Sequence, residues 1–271
     1  MNLKKFLIVT LSVFAALMLA GVLPSCAKRT QPLPASEPEK SSGPKFVAHR
    51  GYSQYYVANT EESFRAAAEL GFYGIETDIL KTKDGYYVCN HDATVSYADG
   101  TEKRISSTKR SDLLAKPLKN DKNVTDVHLC TFENYLRACK AGDKVAVIEL
   151  KDYFSAAEIR EIFDIIDAEY DRKKVSFISF YLAPLLLIKE EDPSIPLQYL
   201  SQKADDLLFD RCLEEKVAID VRQTILTEEL ISAFHEAGLT VNVWTINDEA
   251  ALQSVTQMGV DYVTTDVFYE E

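Results

Sequence analysis

Two carboxylates stand two positions apart in Ile75-Glu76-Thr77-Asp78-Ile79. Side chains alternate along a strand, so Glu76 and Asp78 share one face while Ile75 and Ile79 take the other. The same device recurs in Ile148-Glu149-Leu150-Lys151, where Glu149 and Lys151 share a face. Either pair alone suits a salt-bridged surface strand; two pairs on separate apolar strands argue for a common site. Buried carboxylates without partners are very costly, and a metal ion is the simplest compensation. Three carboxylates, with no cysteine or histidine at zinc spacing, suit one hard divalent cation, Mg²⁺ or Ca²⁺. His49 and His91, two of only four histidines, end apolar runs. Imidazole titrates near neutrality, so such a pair can serve as acid and base. Arg50 offers a fork of donors and Lys151 a point charge, both suited to phosphate. The chemistry expected is metal-assisted cleavage of a phosphoester. His128, in a polar segment, and His235, on a helix, are expected at the surface.

Elements able to position these groups alternate along the chain. Nine strand candidates are expected: 46–49, 75–80, 86–91, 145–150, 175–180, 197–200, 217–221, 241–245 and 262–264. Helical segments at 60–71, 131–142, 155–170, 227–238 and 248–259 separate many of them; the first opens with Thr60 as cap and acidic Glu61 and Glu62. Such alternation implies a parallel sheet covered by helices. No glycine-rich loop follows the first strand, which disfavours a dinucleotide or P-loop fold. A single-domain, irregular (β/α)8 TIM barrel is expected, with active residues at the C-terminal ends of its strands. Nine strands are one too many, so one is not a strand or lies outside the ring.

The first 44 residues read as an address and a tether. Lys4 and Lys5 precede an apolar run from Phe6 to Leu23, which ends in Leu23-Pro24-Ser25-Cys26. This resembles a bacterial lipoprotein signal peptide over residues 1–25, with lipidation expected on Cys26. An uncleaved membrane anchor is the competing reading, because roughly 18 apolar residues just span a bilayer. Residues 26–44 hold Pro32, Pro34, Pro38 and Pro44 and little that is apolar, a flexible tether. The barrel domain is expected over 45–271, exported and held to the cell envelope membrane. Its net charge of −12 argues against nucleic-acid partners. Within it, residues 93–130 read as a solvated insertion, with seven Lys/Arg against five Asp/Glu. Cys89 is expected as a small core residue, and Cys130, Cys139 and Cys212 receive no role.

Taken in order, His49-Arg50-Gly51, Asn59-Thr60, Glu76-Thr77-Asp78, Lys83-Asp84-Gly85, His91-Asp92, Glu149-Leu150-Lys151, Ser179-Phe180, Val241-Asn242-Val243-Trp244-Thr245 and Thr265-Asp266 resemble the motifs of glycerophosphodiester phosphodiesterases. The resemblance runs from about Phe46 to Asp266 and implies release of sn-glycerol 3-phosphate and an alcohol. By matching motif it implies that Glu76, Asp78 and Glu149 bind the metal. It casts His49 and His91 as acid and base, Arg50 and Lys151 as phosphate contacts, and Asn59 and Trp244 as substrate contacts. It also implies that the substrate's own glycerol hydroxyl attacks first, giving a cyclic phosphate that water opens. One departure is Val57-Ala58-Asn59-Thr60, where the family has Pro-Glu-Asn-Thr. Two further readings are a sphingomyelinase D-like lipid phosphodiesterase and a non-catalytic, membrane-tethered barrel that binds phosphodiesters.

Overall fold

The computed structural model describes residues 43–270. The expected signal peptide, Cys26 and nearly all of the tether lie outside the described residues. Among those described, no helix is long and apolar enough to cross a membrane.

Strand β1 (Lys45–Ala48) opens the fold and leads through a turn to helix α1 (Glu61–Glu69). Thr60 caps that helix by accepting from the Ser63 backbone, and Ser63 answers from its own side chain, a reciprocal capping box. Strand β2 (Gly74–Lys81) is followed by the short strands β3 (Tyr87–Cys89), β4 (Thr94–Ser96) and β5 (Glu102–Arg104). After a one-turn helix α2 (Arg110–Leu113) and strand β6 (Cys130–Thr131), regular alternation begins. It runs α3 (Phe132–Ala141), β7 (Val145–Leu150), α4 (Ala156–Glu169), β8 (Val175–Ser179), α5 (Leu182–Glu191) and β9 (Leu197–Ser201). It ends with α6 (Asp206–Glu214), β10 (Ala218–Arg222), α7 (Glu228–Glu236), β11 (Val241–Trp244), α8 (Glu249–Met258) and β12 (Tyr262–Thr265).

Eight parallel strands close the ring in the order β1-β2-β7-β8-β9-β10-β11-β12, with β12 pairing back to β1. The surplus ninth candidate is β3, which runs antiparallel on the edge of β2. The reason lies in the length of β1. It pairs with β2 only at Gly74 and Ile75, which leaves the later half of β2 with an open edge. Residues Ile79–Lys81 use that edge to bind β3, and β3 in turn binds β6.

The alternation read from sequence holds where it matters. Ile75, Ile79, Ile148 and Leu150 are fully buried in the main core under the helices. Burying each such side chain stabilises the fold by roughly 1.5–3 kcal/mol. The opposite face of these strands fills the barrel with a small cluster of Val47, Val147, Ile178 and Leu200. In α7, Ile231 and Phe234 are the buried residues, with Leu230 only partly covered. Cys89, Cys130, Cys139 and Cys212 are buried and unbridged.

The segment 93–130 departs from the expected solvated insertion. Val95, Tyr97, Ile105, Leu113, Leu118, Val127 and Leu129 join Leu80 and Val88 in an apolar cluster separate from the main core. Tyr97 is fully buried, and its hydroxyl donates to the Leu113 carbonyl at 3.0 Å. None of the charged residues of this segment is buried, so the insertion is solvated outside and packed within.

Candidate active site

The three carboxylates expected to bind a metal come together through strand register. Asp78 on β2 and Glu149 on β7 are direct cross-strand partners, and Glu76 lies on the same face two residues earlier. One oxygen from each of the three falls within 4.8 Å of the others. All three are buried. Glu76 is pushed well above the usual carboxylate range by burial and then by the charge of Asp78. Glu149 is pushed up to about 8 by the same two causes. Asp78 goes the other way. Burial opposes its ionisation, but Lys151 and Arg50, with hydrogen bonds from neighbouring groups, hold it well below the usual range.

Lys151 Nζ lies 3.0 Å from Asp78 Oδ1 and 2.8 Å from Glu149 Oε1. Arg50 Nε lies 3.3 Å from Asp78 Oδ2, and the Arg50 backbone N–H donates to Glu76 at 2.8 Å. Yet Asp78 Oδ1 and Glu149 Oε1 receive no aligned hydrogen bond despite being buried. Lys151 is their ion-pair partner, and three buried carboxylates gathered within 4.8 Å of one another are the hard-oxygen donor set that suits a divalent cation, so the residues fit a metal. Both expected phosphate cations thus stand on the carboxylates, at the edge of the site.

The turn after β1 carries His49 and Arg50. Arg50 has φ +57 and Gly51 φ +81, the left-handed region. A Cβ at Gly51 would sit 2.7 Å from the Ser63 carbonyl carbon, so the turn can press against α1 only with glycine there. His49 Nδ1 is 2.7 Å from Asp266 Oδ1, which fixes the ring. Asp266 is held down to about 2: burial opposes ionisation, but hydrogen bonds and charge from His49, with Ser53 and Asn247, outweigh it. His91 follows β3, outside the ring rather than on a barrel strand, and its Nδ1 lies 2.7 Å from Asp92 Oδ1. Burial, then the charges of Arg50 and Lys151, lowers its pKa.

Asn59 is placed differently from the expected substrate contact. Its Nδ2 donates to Asp78 Oδ2 at 2.7 Å and its Oδ1 accepts from Thr77 Oγ1 at 2.8 Å, leaving it 4% exposed. With both ends of the amide engaged, Asn59 is a clamp on the Asp78 carboxylate. The next residue, Thr60, caps α1, so the retained Asn-Thr half of the motif works without the glutamate missing at Ala58. His128 and His235 lie away from the site, paired with Asp126 and Asp261.

A cavity of about 320 Å³ joins these groups, lined among others by His49, His91, Glu149, Phe180, Asp220 and Trp244. Trp244 stands edge-to-face with Phe180 at 5.9 Å, and its Nε1 donates to the Asp220 carbonyl at 3.2 Å. A second cavity of about 460 Å³ lies against the inserted lobe, and Arg50 and His91 line both. Sequence reasoning missed Asp220 altogether and gave Asp266, the close of the last motif, no more than a structural role. Asp220 alternates with apolar Ile219 and Val221, the signal that picked out Glu76 and Asp78, but it stands alone on its strand.

Comparison with known proteins agrees with this geometry. A family model for the glycerophosphoryl diester phosphodiesterase family matches residues 49–269. A glycerophosphodiester phosphodiesterase of Caldanaerobacter subterraneus is 25% identical over 226 residues, covering 81% of this chain and 93% of that protein. One from Bacillus altitudinis is 25% identical over 82% of this chain and 94% of its own. A crystal structure of a glycerophosphodiester phosphodiesterase from Parabacteroides distasonis superposes with TM-score 0.70 at 25% identity, over 83% of this chain and 93% of that one. A phosphodiesterase from Oleispira antarctica, solved with the product sn-glycerol-3-phosphate, shares the fold at TM-score 0.75 and 22% identity, over 83% of this chain and 93% of its own. With the carboxylate cluster, the oriented histidines and all of the barrel but its first strand inside the matched span, the chain belongs to the glycerophosphoryl diester phosphodiesterase family.

Proposed function

We propose that this chain hydrolyses glycerophosphodiesters to sn-glycerol 3-phosphate and an alcohol, using one Mg²⁺ or Ca²⁺ ion. The observation that carries the reading is the cluster of three buried carboxylates, Glu76, Asp78 and Glu149, at one cleft with two histidines each oriented by its own aspartate. Bound at Glu76, Asp78 and Glu149, the ion would neutralise phosphate charge as it grows in the transition state. Arg50 and Lys151, already at the carboxylates, turn their remaining donors to the phosphate oxygens.

Asp266 holds His49 so that Nε2 is the free ring nitrogen, placed to take the proton from the attacking glycerol hydroxyl. His91 borders both cavities and gives its proton to the departing alcohol. Its lowered pKa makes the imidazolium a readier donor. The resulting cyclic phosphate is opened by water with the two roles exchanged, which returns both histidines to their starting states. An intact acid/base pair favours a catalytic barrel over one that only binds. We further propose that residues 1–25 are a signal peptide and that Cys26 carries the lipid anchoring the barrel to the envelope membrane. Intact mass of the membrane form checks this, since retention of residues 1–25 would overturn it.

The deciding experiment is hydrolysis of glycerophosphocholine and glycerophosphoethanolamine with Mg²⁺, Ca²⁺ or EDTA. Metal-dependent release of glycerol 3-phosphate, lost in His49→Ala and Glu76→Ala, is the expected result. Release of choline from sphingomyelin but not from glycerophosphocholine would overturn the assignment.

A further inference from the structure

Asp220 is a buried acid that the reaction above does not use. It is 1% exposed and sits on β10 between Ile219 and Val221, both fully buried in the core beneath the helices. Alternation therefore turns Asp220 into the barrel, where it lines the cavity that holds His49 and Glu149. Its Oδ1 has no hydrogen-bond partner, and among the described residues no cation forms an ion pair with it. Unlike Asp78 and Glu149, it is not part of the three-carboxylate cluster. A lone buried carboxyl with an open acceptor is costly unless something that enters the cavity completes it.

We infer that Asp220 is a substrate-contact residue that takes a hydroxyl of the polyol arm held inside the barrel. The inference rests on the proposed phosphodiesterase reading and adds to it the residue that tells one arm of the diester from the other. Arg50 and His91 border both cavities, so a phosphate held there sends one arm inward and the other toward the inserted lobe. The inward space has apolar walls at Ile178, Leu200, Phe180 and Trp244, with Asp220 and Gln202 as polar groups. A short polyol matches this lining, with C–H faces on the rings and hydroxyls on the polar pair. Trp244 is pinned by the Asp220 carbonyl, so one residue sets the wall and supplies the contact. Burial, followed by the charge of Glu149, favours the neutral carboxyl, which both donates and accepts as a hydroxyl does.

The test is calorimetric binding to the full soluble domain with Mg²⁺, using sn-glycerol 3-phosphate and inorganic phosphate as probes. In Asp220→Leu, affinity for glycerol 3-phosphate is expected to fall about 10- to 100-fold, with phosphate binding within about twofold of wild type. Asp220→Asn, which keeps a donor and an acceptor, is expected to recover most of the loss and guards against misfolding of the leucine variant. Equal weakening of both probes, or of neither, overturns the inference. So does tighter wild-type binding of phosphoethanolamine than of glycerol 3-phosphate, which would assign Asp220 to a cationic arm. Discriminating binding without any turnover of glycerophosphocholine would instead sink the proposed reaction and leave the Asp220 contact standing.

Discussion

Asp266 Oδ1 lies 2.7 Å from His49 Nδ1, tying the end of the last barrel strand to the end of the first across 217 residues of sequence. Ser53 Oγ donates to the same oxygen at 2.7 Å, and Asn247 Nδ2 donates to the other at 2.6 Å. A carboxylate held at both oxygens fixes the imidazole plane and leaves Nε2 to the reaction. Asp266→Asn is expected to lower kcat by at least about tenfold with little change in KM, and His49→Ala by about 10²–10⁴-fold. Steady-state kinetics on glycerophosphocholine checks both; an unchanged kcat in Asp266→Asn would remove the orienting role.

The same residue predicts an acid limb of stability. Its folded pKa of about 2 lies below the unfolded value, so the native state is favoured above about pH 4 and loses that contribution as pH falls toward 2. Allowing for partial exposure, the loss is about 1–2 kcal/mol. Asp266→Asn should flatten the pH dependence of urea midpoints over that window, and parallel wild-type and variant curves would refute the assignment.

Removing one carboxylate from the cluster should act with opposite sign with and without metal. Without metal, Glu149→Gln relieves repulsion with Asp78 and Glu76, and its melting temperature is expected to equal or exceed that of wild type. With Mg²⁺ at about 100 times Kd, wild type should gain about 2.7 kcal/mol, or roughly 5–10 °C. The variant should gain little. Calorimetric scans with Mg²⁺ and with EDTA measure both effects, and equal metal-induced shifts in the two proteins would count against the site.

Asn59 combines φ +59 with the hydrogen bonds to Asp78 and Thr77. Asn59→Gly keeps the backbone conformation and removes the clamp, so it isolates the hydrogen bonds, at about 1–3 kcal/mol. Asn59→Ala adds backbone strain and should be less stable than the glycine variant by about 1 kcal/mol. Denaturant unfolding ranks the two; alanine more stable than glycine would contradict the backbone argument.

The readable part of this protein was the part written in alternation. Ile75 to Ile79 and Ile148 to Lys151 declare which face is apolar, and the strand register then brings Asp78 opposite Glu149. What stayed hidden depends on distance. Nothing near Asp266 announces His49 as its partner, and Asn59 meets Asp78 only after α1 has folded back. Asp220 carries the same pattern as the metal ligands but has no second acid beside it. The core of the lobe at 93–130 was not legible because its apolar residues are spread among charges, and it emerges only when the hairpin and the later loop converge on Val88 and Leu80.

That lobe gives the cleft two jaws with separate cores. One jaw is the closed ring of strands, bearing His49 and the carboxylates; the other rests on its own small cluster, joined to the ring through the half-free edge of β2. Native-state hydrogen exchange should therefore resolve two cooperative units, with amides around Tyr97 and Val127 exchanging before those of β7 and β8. Because His91 lines both cavities, loosening of the lobe is expected to displace the proposed proton donor while the ring stays assembled. An insertion with a core of its own is a place where the sequence can change without rebuilding the ring.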